Sequence, residues 1–392
     1  MSETMAGVGG GALPEDWAQA LLLGRLQTQE GPATILVEDG RVRDITADAA
    51  TSADFLRRWD GSALPQGRDL GAVSEWPWAR AWDGGREASP SLLAPIDLQC
   101  IKASGVTFAV SAVERVIEER ARGDASRAEA IRDGLRERVG ADIRSVRPGS
   151  DDAERLKQAL LTDGLWSQYL EVAIGPHAEI FTKAQPLSAV GWGAWIGVRG
   201  DSHWNNPEPE IVLACAPGGR IVGATLGNDV NLRDFEGRSA LLLGEAKDNN
   251  ASCALGPFIR LFDREFTLDD VRSAVVRLEI EGDEGFRLTG ESSMDQISRD
   301  PADLVAQAIS HHQFPDGFVL FLGTMFAPTQ DRDVPGLGFT HKRGDIVRVL
   351  TPRLGVLENK VTSTEDAPPW SFGLSDLMRN LATRGLLDGA RP

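Results

Sequence analysis

Apolar and polar positions alternate with a period of two in several stretches of the chain, and each such stretch predicts a half-buried strand. Residues 33–45 (ATILVEDGRVRDI) alternate around Asp39-Gly40, the pattern of a tight hairpin. Beyond residue 180 the same signal predicts strands over 210–214, 220–227, 274–280, 317–322, 345–351 and 356–361. The short apolar runs 318–322 and 240–243 have the length of core strands. Helical spacing occurs elsewhere. Val110, Val113, Val116 and Ile117 predict a helix over 110–123, and similar patterns run through 126–139 and 151–161. Pro301, near the start of an apolar-periodic run, marks a helix over 300–310.

Strands and helices do not alternate as βαβ units and no internal repeat is visible, which disfavours a Rossmann fold or a TIM barrel. Residues 68–95 are rich in Trp, Gly and Pro with little periodicity and read as a linker. The expected organisation is a small β-rich domain over 1–95 and a catalytic domain over 96–392. Within the latter, the helical stretch at about 111–164 reads either as a lid over a site or as the cover of a sheet edge. The Gly-rich start, with its GVGGG string at 7–11, lacks the preceding strand and following Lys of a phosphate loop and reads as a tail.

Charge and composition narrow the function. The 392 residues carry 41 Lys and Arg against 58 Asp and Glu, a net charge of −17, which argues against nucleic acid as a partner. No apolar run reaches the roughly 18 residues that a membrane span needs, and the acidic N-terminus does not read as a secretory signal, so the expected location is cytoplasmic. Cys100, Cys215 and Cys253 are widely spaced with no CxxC, which excludes a disulfide scaffold or zinc ribbon. They read as buried thiols.

The densest chemistry lies in DSHWNNPEPE, residues 201–210. Glu208 and Glu210, two apart at the start of a strand, share one face. Asp229, at the end of the next strand, joins them if the two strands form a hairpin. Three carboxylates with no His or Cys make a hard-oxygen set suited to Mg²⁺ or Mn²⁺; the alternative is a solvated acidic edge. Lys247 follows in GEAKDNNASCALGP, either as a proton-transfer group beside the cation or as a surface lysine. The five histidines show no HxxxH or HExxH spacing, and His203 reads as a packing residue rather than a ligand.

The ordered string from Glu208 through Asp229 and Lys247 to Gly256-Pro257 resembles the fumarylacetoacetate hydrolase superfamily, with its ExE pair, GNDVSxRD-like segment, lysine and GP. Phe181 and Lys183, Gly323-Thr324, the set Lys342, Gly344 and Asp345, and the close from Leu354 to Val361 continue the likeness over roughly 97–385. The resemblance implies a β-rich α+β fold with a mixed β-sandwich roll, Mg²⁺ held by Glu208, Glu210 and Asp229, and Lys247 beside the bound substrate. Within the superfamily the chain looks most like the sugar-acid dehydratases acting on 2-keto-3-deoxy-pentonates, 2-keto-3-deoxy-D-xylonate in particular. Its shared phrases include GLWSQYLEVAIGP from Gly164 and FLGTMFAP from Phe321.

Where the hydrolases carry GxNYxxHxxE, this chain has Gly105, Thr107, Phe108, Ser111 and Glu114, so Ser111 replaces the water-activating histidine. Asn231 and Met325 depart from the commoner Ser and Pro. The implied reaction is metal-dependent loss of water, giving 2,5-dioxopentanoate in oxidative pentose catabolism. Lys247 acts as base and Glu114 as acid, with Thr324, Ser111, Phe108 and Lys183 around the sugar acid. Family members form dimers or tetramers. Three readings stay open: an acylpyruvate or diketo-acid hydrolase or decarboxylase on the same metal site, a dehydratase of the L-configured acid, and a non-catalytic ligand-binding protein.

Overall fold

The computed structural model describes residues 11–76, 78–84, 90–132, 143 and 146–387. Five strands come first: β1 (Leu22–Thr28), β2 (Gly31–Glu38), β3 (Arg41–Asp44), β4 (Arg68–Ala72) and β5 (Ser91–Leu93). The hairpin expected at 33–45 is β2 and β3, paired through Glu38↔Arg41. Asp39 and Gly40 both have positive φ, 49° and 70°, as a two-residue turn of this hand requires. The stretch 68–95 is more than a linker, because β4 pairs with β3 and β5 with β1. With five and three residues, each is too short for alternation to show in the sequence.

The later strands are β6 (Cys100–Gly105), β7 (Glu179–Ala184), β8 (Trp195–Val198), β9 (Asn205–Asn206), β10 (Pro209–Cys215), β11 (Ile221–Asp229), β12 (Asn231–Leu232), β13 (Cys253–Leu261), β14 (Val275–Glu281), β15 (Arg287–Ser293), β16 (Phe318–Phe321), β17 (Ile346–Thr351) and β18 (Gly355–Ser363). One mixed sheet runs β4-β3-β2-β1-β13-β11-β10-β16-β6-β7, so strands from before and after residue 95 share it through Leu22↔Arg260 and Leu23↔Ile259. A second sheet, β15-β14-β17-β18-β8, packs against β10, β11 and β13. The fold is thus the β-rich sandwich-like roll that the sequence implies.

Strand β10 is buried on both faces. Ile211, Leu213 and Cys215 pack into the core between the sheets with Val276, Leu278, Val347 and Leu357, while Val212 and Ala214 pack with Ile101, Ala103, Val319 and Phe321 on the other side. Glu208 and Glu210 continue the second row, by the period of two. The helices on that side are Ala109–Ala121, a helix that begins at 125 and is described to 132, Asp151–Thr162 and Gln168–Ile174. They form their own core through Ala112, Val116, Ile117, Leu160, Leu170 and Ile174. The rest of the expected helix 126–139 and the tail at 1–10 lie outside the described residues.

The run 240–243 is not a strand. Ser239 caps a turn of 3₁₀ helix, Ala240–Leu242, which leads into the short helix Leu243–Lys247, and Leu241 is 95% exposed. Three consecutive leucines carry no period, so apolar character alone misassigns them.

Candidate active site

β10 and β11 form an antiparallel hairpin in register Pro209↔Asn228 and Glu210↔Gly227, and the Asp229 N–H donates to the Glu208 carbonyl at 3.0 Å. The register brings Glu208, Glu210 and Asp229 together at the hairpin's open end. All three are buried, and one carboxylate oxygen from each falls within 4.8 Å of the others. Burial pushes the Glu210 carboxyl well above its usual range, and the neighbouring Asp229 and Glu208 push it further. Such a cluster is costly as three anions and stable around a cation. Its all-oxygen donor set fits Mg²⁺ or Mn²⁺, so these residues can hold a metal ion. Glu210 is oriented from behind by the Gly323 N–H at 2.7 Å and the Thr324 hydroxyl at 3.3 Å. Gly323 has φ 103° and no room for a Cβ, which would run into the Thr107 hydroxyl.

Lys247 ends the short helix Leu243–Lys247, and its Nζ lies 2.5 Å from Glu208 and 3.0 Å from Asp229. Burial alone would lower its pKa, but Asp229, Glu208 and Glu236 outweigh this and hold it as ammonium. Burial raises the Glu208 carboxyl, yet Lys247 and Arg115 override that and bring it down to about 2. Lys183, on β7, is fully buried behind the triad. Its Nζ donates to the Lys247 carbonyl and sits 3.0 Å from Asp229.

Helix Ala109–Ala121 supplies the opposite wall. Arg115 reaches Glu208 at 2.5 Å, Glu118 at 2.7 Å and Glu236 at 2.9 Å. Burial raises the Glu236 carboxyl to about 7, although Arg115 and Lys247 pull it down. Behind this wall Arg233, also buried, joins Glu118 at 2.6 Å and Glu114 at 3.1 Å and lies 4.4 Å over the Trp204 ring. Between the walls lies a narrow cavity lined by Ser104, Gly105, Val106, Ser111, Arg115, Glu179, Phe181, Glu208, Asp229, Glu236, Lys247 and Thr324. Nine of these twelve side chains are polar or charged, which suits a small hydrophilic acid better than an apolar ligand.

Of the residues singled out from the sequence, Glu208, Asp229, Lys247, Ser111 and Thr324 line this cavity, and Glu210 and Lys183 stand directly behind it. Glu114 and Phe108 do not line it. Glu114 faces the arginines of the helical layer, with Arg132 at 2.9 and 3.0 Å and Arg233 at 3.1 Å. Phe108 precedes the helix and packs in the core between the sheets. Position 114 lies one turn on from 111, but its carboxylate is taken up there by Arg132 and Arg233 instead of reaching the cleft, a pairing that a linear motif does not reveal. His203 is exposed, and its backbone N–H donates to Asp234. Sequence reasoning missed Arg115, Glu236 and Glu179. Burial raises the Glu179 carboxyl despite Arg115 and Lys247, and Glu179 lines the cavity. Glu179 falls two residues before the FxK pair, and only its position at the start of β7 would have suggested it.

Residues 218–362 match the family model described as fumarylacetoacetate (FAA) hydrolase C-terminal. The likeness to that family extends over this segment of the chain. The chain is 32% identical over 195 residues to a probable 2-keto-3-deoxyxylonate dehydratase of Haloferax volcanii, covering 50% of this chain and 64% of that one. It is 31% identical over 192 residues to a 2-dehydro-3-deoxy-D-arabinonate dehydratase of Saccharolobus solfataricus, covering 48% and 60%. The matched region is therefore less than two thirds of either relative. Among solved structures, 2-keto-3-deoxy-D-arabinonate dehydratase complexed with magnesium and 2,5-dioxopentanoate shares the fold with a TM-score of 0.62 at 21% identity, over 87% of this chain and 99% of that one. Among the described residues no helix is long and apolar enough to cross a membrane.

Proposed function

We propose that this protein is a Mg²⁺-dependent hydro-lyase that converts 2-keto-3-deoxy-D-pentonate into 2,5-dioxopentanoate. The observation that carries the reading is the buried triad Glu208, Glu210 and Asp229 with Lys247 against it, in a small polar cavity that contains no histidine. The names of the two dehydratase relatives support it, and they describe one compound. In the 2-keto-3-deoxy acid C4 is the only stereocentre, and D-xylonate and D-arabinonate share its configuration.

What Mg²⁺ supplies when bound is a Lewis acid for the keto oxygen and positive charge that offsets the carboxylates around Lys247. The chain's own residues do the rest. With those carboxylates no longer holding its ammonium form, Lys247 in its neutral form takes the proton from C3, and the electron pair of that bond forms the C3–C4 double bond as the C4–O bond breaks. Glu179 gives the leaving hydroxyl its proton and water departs, a role that its raised pKa suits and that Glu114, turned into the arginine cluster, does not. A proton lost from C5 then returns at C3 to give the C4–C5 enol, and the enol's hydroxyl proton moves to C4, which leaves the aldehyde at C5. Thr324 orients the substrate carboxylate. The substrate is thus a free sugar acid, and the enzyme acts in the cytoplasm as a homo-oligomer.

A hydrolase of the same fold needs a base to activate water, and no imidazole lines this cavity. With Mg²⁺ present, 2-keto-3-deoxy-D-xylonate should yield 2,5-dioxopentanoate, with the L-configured acid and an acylpyruvate processed far more slowly. A larger kcat/KM for acylpyruvate cleavage would overturn the assignment.

A further inference from the structure

Buried polar atoms in folded proteins are almost always hydrogen-bonded, so one that lines a ligand cavity and has no partner marks where a ligand's polar group belongs. Two atoms in the cavity are of this kind outside the acid triad. Ser104 is 2% exposed, on β6, and its hydroxyl bonds to nothing. Glu236 is 3% exposed, and its Oε2, ion-paired with Arg115 Nη1 at 2.9 Å, accepts no hydrogen bond. Arg115 fixes the place of Glu236 relative to the acids, because the same guanidinium bonds Glu208 through Nη2. Glu236 therefore stands one ion pair beyond the triad, where the far end of an acid anchored at the triad would reach.

We propose that Glu236 and Ser104 form a second polar subsite that receives the hydroxylated tail of the substrate, with Glu236 accepting from the terminal hydroxyl. The subsite makes the cavity selective for keto acids hydroxylated at the end remote from the carboxylate, over acids of equal length with an alkyl or acyl tail. A site built to hydrogen-bond a hydroxyl discriminates strongly against the analogue without it, since the buried acceptor is then left unpaired. The identity of the acid rests on the dehydratase reading, but its recognition at the tail can be tested apart from turnover.

Two probes that lack the C4 hydroxyl, and so cannot lose water, separate the questions: 5-hydroxy-2-oxopentanoate and 2-oxopentanoate. Their affinities are measured by calorimetry with Mg²⁺ for the full chain and for Glu236→Ala, Glu236→Gln and Ser104→Ala. Any ring-closed fraction of the hydroxy acid is common to all variants, so the quantity read is the change in the affinity ratio of the two probes. Glu236→Ala should lower that ratio at least tenfold, Ser104→Ala several-fold, and Glu236→Gln, which keeps an acceptor oxygen, less than Glu236→Ala. A ratio within twofold of the parent protein in both Glu236→Ala and Ser104→Ala overturns the subsite. If Glu236→Ala fails to fold, Ser104→Ala decides alone. Should the keto-deoxy acid prove not to be dehydrated while the ratio still falls, the reaction is wrong and the subsite stands.

Discussion

The acid triad comes from two adjacent strands, β10 and β11, whereas the charges that face it come from helices and from a third strand: Arg115 from Ala109–Ala121, Glu236 from Arg233–Glu236 and Glu179 from β7. On the strand side Lys247, Lys183 and Arg115 pair with Glu208 and Asp229 but not with Glu210, whose carboxyl is pushed well above its usual range. On the helix side the charges close on one another in a chain, Arg132 to Glu114 to Arg233 to Glu118 to Arg115. The first arrangement is built to receive a cation. The second is complete without one, and its Arg115 touches the first through Glu208. Substitutions on the strand side should therefore change metal binding and turnover, and those behind the helix wall should change stability.

Lys247→Met gives the largest expected effect. Removing the proton-transfer group should lower kcat by about 10²- to 10⁴-fold. It also leaves Glu208 and Asp229 one buried cation short, with only Arg115 and Lys183 beside them, a loss of about 3–5 kcal/mol in the metal-free protein. Saturating Mg²⁺ should recover most of that stability and none of the activity, as read by thermal unfolding with and without a chelator. Equal destabilisation in both conditions would mean that the strand side is no metal site. Glu210→Gln is the counterpart: it should abolish Mg²⁺ binding yet raise the stability of the metal-free protein by about 1–2 kcal/mol, because it relieves a buried like-charge cluster.

Arg233→Ala tests the helix side. Arg233 is 1% exposed, and its loss leaves Glu118 and Glu114 one buried cation short, at a cost of about 3–5 kcal/mol. Calorimetric Mg²⁺ affinity should stay within a few-fold of the parent. Glu179→Gln and Glu114→Gln sharpen the same divide. The first should reduce kcat about 10²-fold or more with little change in melting temperature, and the second should do the reverse. A larger kcat loss in Glu114→Gln would restore it as the acid.

The strand side was legible in the sequence for a physical reason. A period of two puts Glu208 and Glu210 on one face whatever the rest of the fold does, and a nine-residue strand ending in Asp229 needs only a hairpin to bring the third acid alongside. The motif order from Glu208 to Val361 then carried the resemblance to the fumarylacetoacetate hydrolase superfamily. The helix side was not legible, because it depends on how the helix Ala109–Ala121 is rotated about its axis. The motif singled out Ser111 and Glu114, yet Ser111 and Arg115 line the cleft while Glu114 is held by Arg132 and Arg233. Glu179 and Glu236 meet Arg115 only through contacts far apart in sequence. The same limit hid β4 and β5, which are held by pairing with β3 and β1 rather than by their own patterns.

The pH dependence of stability separates the two sides again. Burial raises the Glu236 carboxyl from 4.5 to about 7, so the folded state binds a proton there more tightly than the unfolded chain does. By linkage, the protonated group contributes stability that is fully present below about pH 4.5 and is lost as pH rises through 7. Glu208 has the opposite sign: its carboxyl is held at about 2, so its contribution is present above the unfolded value and fades only as pH falls toward 2. Between pH 4.5 and 7 the metal-free protein should accordingly lose stability on the Glu236 side, by up to about 3 kcal/mol, with no change from Glu208. Glu236→Gln, which cannot ionise, should flatten that slope in denaturant unfolding measured at successive pH values. The flattening should persist with Mg²⁺ bound, since Glu236 is not among the acids that can hold the ion. A slope that Mg²⁺ alone removes would mean that Glu236 titrates as part of the triad and that the two walls are one electrostatic unit.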